Sequence, residues 1–234
     1  MLSILYPPIC PVCGEILAGD EKKTGIHRAC GAKLIRVREP VCKKCGKPIS
    51  DPQKERCGEC EDRRVHFVSG RSLWVYNDSS GQAIFRYKYI KKRELADFFA
   101  RQLLATYGGW IRRVRPDMIV PVPVSRARYH SRGFNQAGLI AVRLGEALDI
   151  PVEQKGLKRI RDTAPQKELG RLAREANLLR AFCGDPAVFK GTDRVLVIDD
   201  IYTTGSTIEA CARALRRAGA GHVWFLTLCS VPMS

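Results

Sequence analysis

One short segment near the C-terminus constrains the fold of this chain more than any other. It has the sequence VLVIDDIYTTGST and runs from Val195 to Thr207. The apolar run predicts a strand buried on both faces, two adjacent acids mark its carboxyl end, and a loop rich in hydroxyl groups precedes a helix. Gly205 lets backbone N–H groups approach an anion, and the helix directs its positive end to the same place. The segment therefore predicts a phosphate-binding site beside two carboxylates.

The helix that follows the loop fits this interpretation. Its apolar residues recur at helical spacing from Ile208 to Leu215, and Gly219 ends it. Adjacent carboxylates suit the hydroxyl groups of a sugar or a hydrated Mg²⁺ ion. The segment resembles the signature with which type I phosphoribosyltransferases bind 5-phosphoribosyl 1-pyrophosphate (PRPP). The resemblance implies that Asp199 and Asp200 are catalytic residues at the ribose hydroxyls, and that the 5′-phosphate is surrounded by Thr203, Thr204, Gly205, Ser206 and Thr207.

The N-terminal region is rich in cysteine. Seven of the ten cysteines lie between residues 10 and 60, and the segments CPVCG at 10–14 and CKKCG at 42–46 form an internal repeat that resembles two zinc knuckles. Two sulfurs at this spacing reach one ion from a tight turn. We predict a first zinc site from Cys10, Cys13, His27 and Cys30, and a second from Cys42, Cys45, Cys57 and Cys60.

Metal is expected here because burial alone does not account for folding. Residues 10–60 contain no aromatic side chain, whereas each structural zinc ion contributes about 10 to 16 kcal/mol. Disulfides are unusual in a chain that opens without a secretion signal. Two alternatives stay open for the first site: His27 as an ordinary surface histidine, and cysteine pairs that cross between the repeats. The number of structural zinc ions is therefore one or two.

After a zinc-ribbon domain of residues 1–64, residues 65–234 predict an α/β domain. Residues 71–76 alternate as in a strand, residues 77–81 predict a turn, residues 95–104 an amphipathic helix and residues 118–120 a buried strand. Alternating strands and helices predict a parallel sheet flanked by helices. The cysteines outside the cluster are expected to be buried structural thiols: Cys183, Cys211 and Cys229.

A basic segment, PVPVSRARYHSRGFNQ, follows the strand at 118–120 and spans residues 121–136. Arginines at the carboxyl edge of a parallel sheet favour a pocket for a second anion, because each guanidinium can bind phosphate oxygens in a bidentate manner. Pyrophosphate is the expected ligand, and a solvated basic loop is the alternative. The predicted pocket residues are Ser125, Arg126, Arg128 and Arg132.

This segment and the cysteine repeat together resemble the ComF-type competence proteins, a branch of the phosphoribosyltransferase superfamily with an N-terminal zinc ribbon. The segments FRYKY at 85–89 and RDTAPQ at 161–166 are similar to two further family elements. The resemblance implies a type I phosphoribosyltransferase-like sheet, Mg²⁺ bound with PRPP, and a flexible active-site loop containing Arg161, Thr163 and Gln166. Residues 157–182 are predicted to form this loop and a basic helix, for which a solvated charged face is the alternative. Relatives usually carry cysteine where this chain has His27.

Charge and hydropathy limit the partners. The formal net charge of +16 favours polyanions such as nucleic acid or pyrophosphate, and it stays strongly positive when zinc-bound thiolates are counted. No apolar run approaches the roughly 20 residues of a membrane helix. We expect a cytoplasmic protein, with attachment to the inner face of the membrane as a second option.

Three functions are compatible with the sequence. The first is a phosphoribosyltransferase in which Mg²⁺ and the arginines draw charge onto the leaving pyrophosphate while Asp199 and Asp200 stabilise the ribose; no acceptor is evident. The second, implied by the resemblance, is a protein that binds single-stranded DNA during competence and DNA uptake and uses PRPP as a regulatory ligand. The third is an assembly adaptor whose zinc domain docks to a motor or membrane complex of the DNA-uptake machinery, with a vestigial pocket.

Overall fold

A computed structural model describes residues 7–61, 63–90, 92–160 and 180–232. The predicted loop residues Arg161, Thr163 and Gln166 lie outside the described residues. In the N-terminal part the helices are α1 (Glu21–Thr24), α2 (Arg28–Gly31) and α3 (Gly58–Glu61). The elements that follow are β1 (Gly70–Val75), α4 (Asp78–Tyr89), α5 (Leu95–Val114), β2 (Met118–Pro121), α6 (Arg126–Arg132), α7 (Gln136–Leu148), β3 (Leu157–Arg159), β4 (Phe182–Gly184), α8 (Pro186–Phe189), β5 (Arg194–Tyr202), α9 (Ser206–Arg217) and β6 (His222–Ser230).

The central sheet has the strand order β1, β6, β5, β2, and all of its neighbouring strands are parallel. Strand β5 is buried on both faces, as its apolar run predicts. Leu196 and Ile198 pack in one apolar cluster with helix α7, whereas Val195 and Val197 pack in a second cluster with helix α9. Because parallel strands end at the same edge of a sheet, the residues that follow β2 and β5 lie close together there.

The two cysteine knuckles share one backbone pattern. The amide of Cys10 donates to the carbonyl of Glu15 at 2.8 Å, and the amide of Cys42 donates to the carbonyl of Lys47 at the same distance. Each of these hairpins encloses one pair of cysteines separated by two residues. The internal repeat predicted from the sequence is therefore present in the backbone.

The second knuckle packs directly against the start of the sheet. Gly46 has a φ of +74°, and a side chain there would meet the carbonyl oxygen of Gly70 at 2.4 Å. The amide of Gly70 in turn donates to the carbonyl of Lys44 at 2.9 Å. Only glycine allows this close backbone approach, which joins the N-terminal part to strand β1.

The segment predicted as a turn and the basic segment after β2 both begin helices. The turn prediction for residues 77–81 is wrong because Asn77 and Ser80 form a capping box at the start of α4, each side chain accepting the other's amide at 2.9 Å. Capping residues have the same composition as turn residues, so the pattern alone did not distinguish them. In the basic segment, Ser125 caps helix α6 by accepting from the amide of Arg128 at 3.3 Å.

The region predicted as a loop and basic helix begins and ends with strands. Residues 157–159 form β3, which pairs antiparallel with β4. Cys183 lies in β4 and is exposed, because its neighbours Phe182 and Gly184 occupy the buried face of that strand. The expected burial is therefore wrong for Cys183 and confirmed for Cys211 and Cys229.

The predicted fold class, a parallel sheet flanked by helices with a small cysteine-rich N-terminal part, is confirmed. The amphipathic helices predicted around residues 95–104 and 208–215 are α5 and α9. The division at residue 64 stays a prediction. None of the helices in the described part of the chain combines the length and apolar character that crossing a membrane requires.

Candidate functional site

Two carboxylates occupy the carboxyl end of strand β5. The amide of Asp200 donates to Oδ1 of Asp199 at 2.8 Å, which holds that side chain over the strand end. Oδ2 of Asp200 lies 2.6 Å from the ammonium nitrogen of Lys88 on helix α4. Both members of this ion pair are largely buried, with side-chain exposures of 15% and 18%. Asp200 is therefore paired with a cation, whereas Asp199 is held mainly by the backbone amide of the residue that follows it.

The pKa of Asp199 lies well above the usual range of a carboxyl group. Burial raises the pKa to about 7, and the negative charge of Asp200 adds to the effect. The amide of Asp200 and the cations of Lys88 and Arg128 act in the opposite direction but do not offset it. Asp199 is thus poised to exchange a proton near neutral pH, which is common among functional carboxyl groups.

The loop after β5 has the geometry of an anion site. Gly205 adopts the left-handed conformation with φ +77° and precedes the first turn of helix α9. A side chain at this position would meet the hydroxyl of Tyr202 at 2.3 Å. The hydroxyls of Thr204 and Ser206 lie 2.9 Å apart, and the amides of the first helical turn have no partner within the helix. The loop thus gathers hydroxyl and amide donors at the positive end of α9.

The predicted pyrophosphate residues separate into two groups. Arg126 and Arg128 are exposed on helix α6, and the charge of Arg128 reaches Asp199. Arg132 is only 6% exposed, and its guanidinium donates to Oε1 of Gln136 at 2.9 Å and to the hydroxyl of Tyr89 at 3.2 Å. The structure therefore brings Arg128 to the carboxylates, whereas Arg132 braces helix α6 and its role in binding pyrophosphate stays a prediction.

A basic cleft extends from helix α6 to strand β3. It has a volume of about 830 Å³ and is lined by Arg126, Lys155, Lys158 and Arg159, together with Pro123 and Ile160. At the start of helix α7, Oδ1 of Asn135 and Nε2 of Gln136 are buried without a hydrogen-bond partner among the described residues. The cleft offers space and positive charge for an anionic ligand larger than the loop site alone holds.

The structure brings together both predicted groups of metal ligands. In each group the four ligand atoms lie within 4.8 Å of one another, and all four cysteines of the second group are buried. Sulfurs bound tetrahedrally to one zinc ion are separated by about 3.8 Å, and Sγ of Cys45 lies 3.6 Å from Sγ of Cys57. The residues of the second group therefore fit a structural zinc ion.

The first group fits a Cys₃His site. Nδ1 of His27 lies 3.2 Å from Sγ of Cys13, and its Nε2 lies 3.6 Å from a carboxylate oxygen of Glu21. A histidine that binds zinc through one ring nitrogen commonly directs the other to a carboxylate. This arrangement favours His27 as a ligand over the surface-histidine alternative, and ligation by His27 stays a prediction.

Two residues of the site were not assigned a role from the sequence. Lys88 lies in the FRYKY segment that carried part of the family resemblance, but its pairing with Asp200 joins positions far apart in the chain. Arg63 donates from its guanidinium to the carbonyl of Thr204 at 3.2 Å. No local pattern indicates either contact.

Comparison with known proteins gives a consistent result. Residues 1–61 match the family model described as a double zinc ribbon domain. The chain is 33% identical to the DNA utilization protein YhgH of Salmonella typhimurium, over 98% of this chain and 99% of that protein. It is 30% identical to the competence protein ComFC of Bacillus subtilis, over 87% of this chain and 82% of that protein.

The solved structures that resemble the chain include a purine phosphoribosyltransferase from Pyrococcus horikoshii. It is 24% identical, with 56% of this chain and 72% of that one covered, and the TM-score is 0.35. An orotate phosphoribosyltransferase from Aeropyrum pernix is 19% identical, with 61% of this chain and 62% of that one covered, and the TM-score is 0.34.

Proposed function

The chain belongs to the ComF family of competence and DNA utilization proteins, and from this premise we propose that it binds PRPP together with Mg²⁺ at the carboxyl edge of its sheet. We further propose that this ligand serves a role in DNA utilization, as the names of its relatives indicate for those proteins. In this role the protein would transfer the phosphoribosyl group of PRPP to an acceptor. The use of PRPP as a regulatory ligand without turnover is its alternative.

One observation supports the PRPP proposal above the others. Adjacent carboxylates end a buried parallel strand and are followed at once by a hydroxyl-rich loop whose left-handed glycine opens a helix. Carboxylates at this place can accept hydrogen bonds from neighbouring hydroxyls of a ribose, while the loop and helix terminus hold its 5′-phosphate. The ribose and its 5′-phosphate would thus have complementary partners within nine consecutive residues, 199–207.

The residues also suit the chemistry of transfer. When Mg²⁺ is bound with the pyrophosphate, it neutralises charge on the leaving group. Arg126 and Arg128 are exposed cations on the side where that group would lie. As the bond from ribose C1 to the pyrophosphate oxygen breaks and a bond from C1 to the acceptor forms, Asp199 and Asp200 would stabilise positive charge on the ribose. Catalysis would consist of positioning and electrostatics.

Calorimetric titration tests the binding proposal. PRPP with Mg²⁺ is titrated into zinc-loaded protein and into the Asp200→Asn variant, with Asp149→Asn, a substitution outside the site, as the matched control. We expect micromolar binding in the wild type and the control and its loss in Asp200→Asn. The absence of binding to the wild type would refute the proposal.

Turnover separates the enzyme from the regulated binder. Protein saturated with PRPP and Mg²⁺ is incubated with candidate bases and amines, with and without single-stranded DNA, and released pyrophosphate is measured. Release that depends on an acceptor and disappears in Asp200→Asn would establish transfer. Tight binding with no release above that of the variant would favour the regulatory alternative.

A second candidate function, binding of single-stranded nucleic acid, is favoured by a groove at the opposite edge of the sheet. Two cavities of about 470 and 520 Å³ lie there and share His222, the first residue of β6. Trp110 and Trp224 supply aromatic surface to the groove. Its cations are Lys44, Arg64, Arg113, Arg194 and Arg216, of which Arg194 is paired with Asp193, an acid that also lines the groove. Aromatic faces for stacking beside cations for phosphates are the elements of a single-strand binding surface.

A further inference from the structure

The hydroxyl-rich loop rests on Tyr202, the last residue of strand β5. Tyr202 is 3% exposed, and its ring stacks on that of Phe225 at 4.8 Å with an interplanar angle of 8°. Its hydroxyl lies where a side chain at position 205 would have to be. The position of Gly205, and with it the start of helix α9, therefore depends on how Tyr202 is held.

The second cysteine group helps to hold Tyr202. Its four cysteines belong to the same apolar cluster as Tyr202 and Phe225. Lys47 lies between the cysteines and Tyr202. Its side chain is 3% exposed, and its ammonium is 5.6 Å from the centre of the Tyr202 ring. The same ammonium is 3.0 Å from Oε2 of Glu59, which lies between two of the cysteines in sequence. A buried cation held over an aromatic ring fixes the ring more firmly than apolar contact alone.

Residues 63–66, which follow the second cysteine group in the chain, contact the hydroxyl-rich loop and the first turn of helix α9. The guanidinium of Arg63 donates to the carbonyl of Thr204 at 3.2 Å. The amide of His66 donates to Oε2 of Glu209 in the first turn of α9 at 2.8 Å, and the His66 ring contacts Oε1 of the same carboxylate. Residues 63–66 thus contact residues that lie before and after Gly205 in the chain.

We propose that the 5′-phosphate site needs the second cysteine group and residues 63–66 in order to bind its ligand. This inference rests on the proposed binding of PRPP. A metal ion on Cys42, Cys45, Cys57 and Cys60 fixes Lys47 beneath Tyr202 and anchors the chain that carries Arg63. Arg63 is a positioning residue, because it acts on the ligand through the carbonyl of Thr204. Affinity for a ribose 5-phosphate therefore depends on the metal at the second group and much less on the metal at the first.

The first cysteine group provides the comparison because it packs elsewhere. The guanidinium of Arg86 on helix α4 donates to the carbonyl of Val12 at 3.2 Å, and a side chain at Gly25 would meet Phe98 and Arg101 on helix α5. Cys10 belongs to the apolar cluster on the face of the sheet away from Tyr202. Loss of its metal should disturb α4 and α5 before it disturbs the loop.

Substitution of Arg63 tests the proposal without removing a metal ligand. Ribose 5-phosphate, which has the 5′-phosphate but no pyrophosphate, and PRPP with Mg²⁺ are titrated into zinc-loaded wild type, Arg63→Ala, Arg63→Lys and Arg56→Ala. Arg56 is an exposed cation of the same cysteine-rich part, and its removal matches the change of charge. We expect Arg63→Ala to weaken both ligands by about tenfold, Arg63→Lys to restore part of the loss, and Arg56→Ala to stay near the wild type.

Substitution of the cysteines tests the dependence on metal. Zinc content and binding of ribose 5-phosphate are measured for Cys57→Ser and Cys30→Ser, each expected to lose one ion. The proposal requires a loss of affinity at least tenfold greater in Cys57→Ser than in Cys30→Ser. Equal affinity of Arg63→Ala and Arg56→Ala, or equal losses in the two cysteine variants, would overturn it. If the wild type binds neither ligand, the PRPP proposal itself fails, which is a distinct outcome.

Discussion

The ammonium nitrogen of Lys88 lies 2.6 Å from Oδ2 of Asp200, and this contact joins helix α4 to the carboxyl end of the central strand. Because both side chains are largely buried, the pair is screened less by salt than a surface ion pair. It offsets part of the charge of Asp200, and Asp199 is the carboxyl group whose protonation changes near neutral pH. The protonation of Asp199 should therefore control binding of a sugar phosphate.

Affinity for PRPP is expected to rise between about pH 6 and pH 8 and to level off above that range. The pKa of Asp199 is raised to about 7 by burial and by Asp200, against the opposing charges of Lys88 and Arg128. Below its pKa the carboxyl is protonated and accepts hydrogen bonds from ribose hydroxyls poorly; above it, the carboxylate accepts them fully. Calorimetry across this range measures the effect. Asp199→Asn serves as the control for ionisation of the ligand, and an unchanged pH profile in that variant would contradict the assignment.

Replacement of Lys88 should move this pH profile. The Lys88 ammonium lowers the pKa of Asp199, so Lys88→Met is expected to raise that pKa further and shift the midpoint of PRPP binding to higher pH. Lys54→Met, which removes an exposed lysine of the cysteine-rich part, should leave the midpoint unchanged. A midpoint in Lys88→Met equal to or below that of the wild type would show that the pair does not control Asp199.

Local patterns were sufficient to predict several parts of this molecule. The apolar run of β5, the acids after it and the glycine of the loop are contiguous, so the sequence specifies their order and approximate geometry. The cysteine spacing likewise identified both groups of ligands that the structure brings together. These features depend on residues that are close in the chain.

Other parts depend on contacts between distant residues and could not be predicted in this way. The contacts of the Arg132 guanidinium with Gln136 and Tyr89, which hold it inside the protein, were not predicted. The pairing of Lys88 with Asp200 and the contact of Arg63 with Thr204 arise only when the sheet has assembled. Polar residues at 77–81 fit a turn and a helix cap equally well, and packing decides between them.

Gly205→Ala tests the geometry of the loop. The substitution costs about 1 kcal/mol for the left-handed conformation, and the added carbon must also displace the hydroxyl of Tyr202. Gly191→Ala is the matched control, because Gly191 has a φ of +89° but open space around it. Both variants should lose stability from backbone strain in thermal unfolding, Gly205→Ala more than Gly191→Ala because Tyr202 must also move, and only Gly205→Ala should lose PRPP affinity, by about tenfold or more. Equal PRPP affinity in the two variants would show that the loop is not part of the PRPP site.

The zinc content distinguishes the two-site arrangement from its alternatives. Elemental analysis of the wild type should give two zinc ions per chain, because each group places four ligand atoms within 4.8 Å. His27→Ala should retain one ion, and His27→Cys should retain two, since a thiolate can replace the imidazole in a tetrahedral site. One ion in the wild type would contradict the two-site arrangement, and two ions in His27→Ala would argue against His27 as a ligand.

The groove at the amino edge of the sheet should bind single-stranded DNA independently of PRPP. Arg194 begins strand β5 and Asp200 lies near its end, a separation of about 20 Å along the extended chain. Fluorescence anisotropy of a labelled oligonucleotide measures the binding.

Arg113→Glu, which reverses a charge in the groove, should weaken DNA binding by about tenfold at low salt and reduce its salt dependence. Arg112→Glu, the adjacent exposed position of α5, makes the same change of charge outside the cavity lining. Saturating PRPP should alter the DNA affinity by less than about twofold, because the proposed contact residues of the two ligands do not overlap and a separation of about 20 Å exceeds the screening length of about 8 to 10 Å at physiological salt. Equal losses in the two arginine variants would indicate attraction by net charge alone, and competition by PRPP would place the DNA at the carboxyl edge instead.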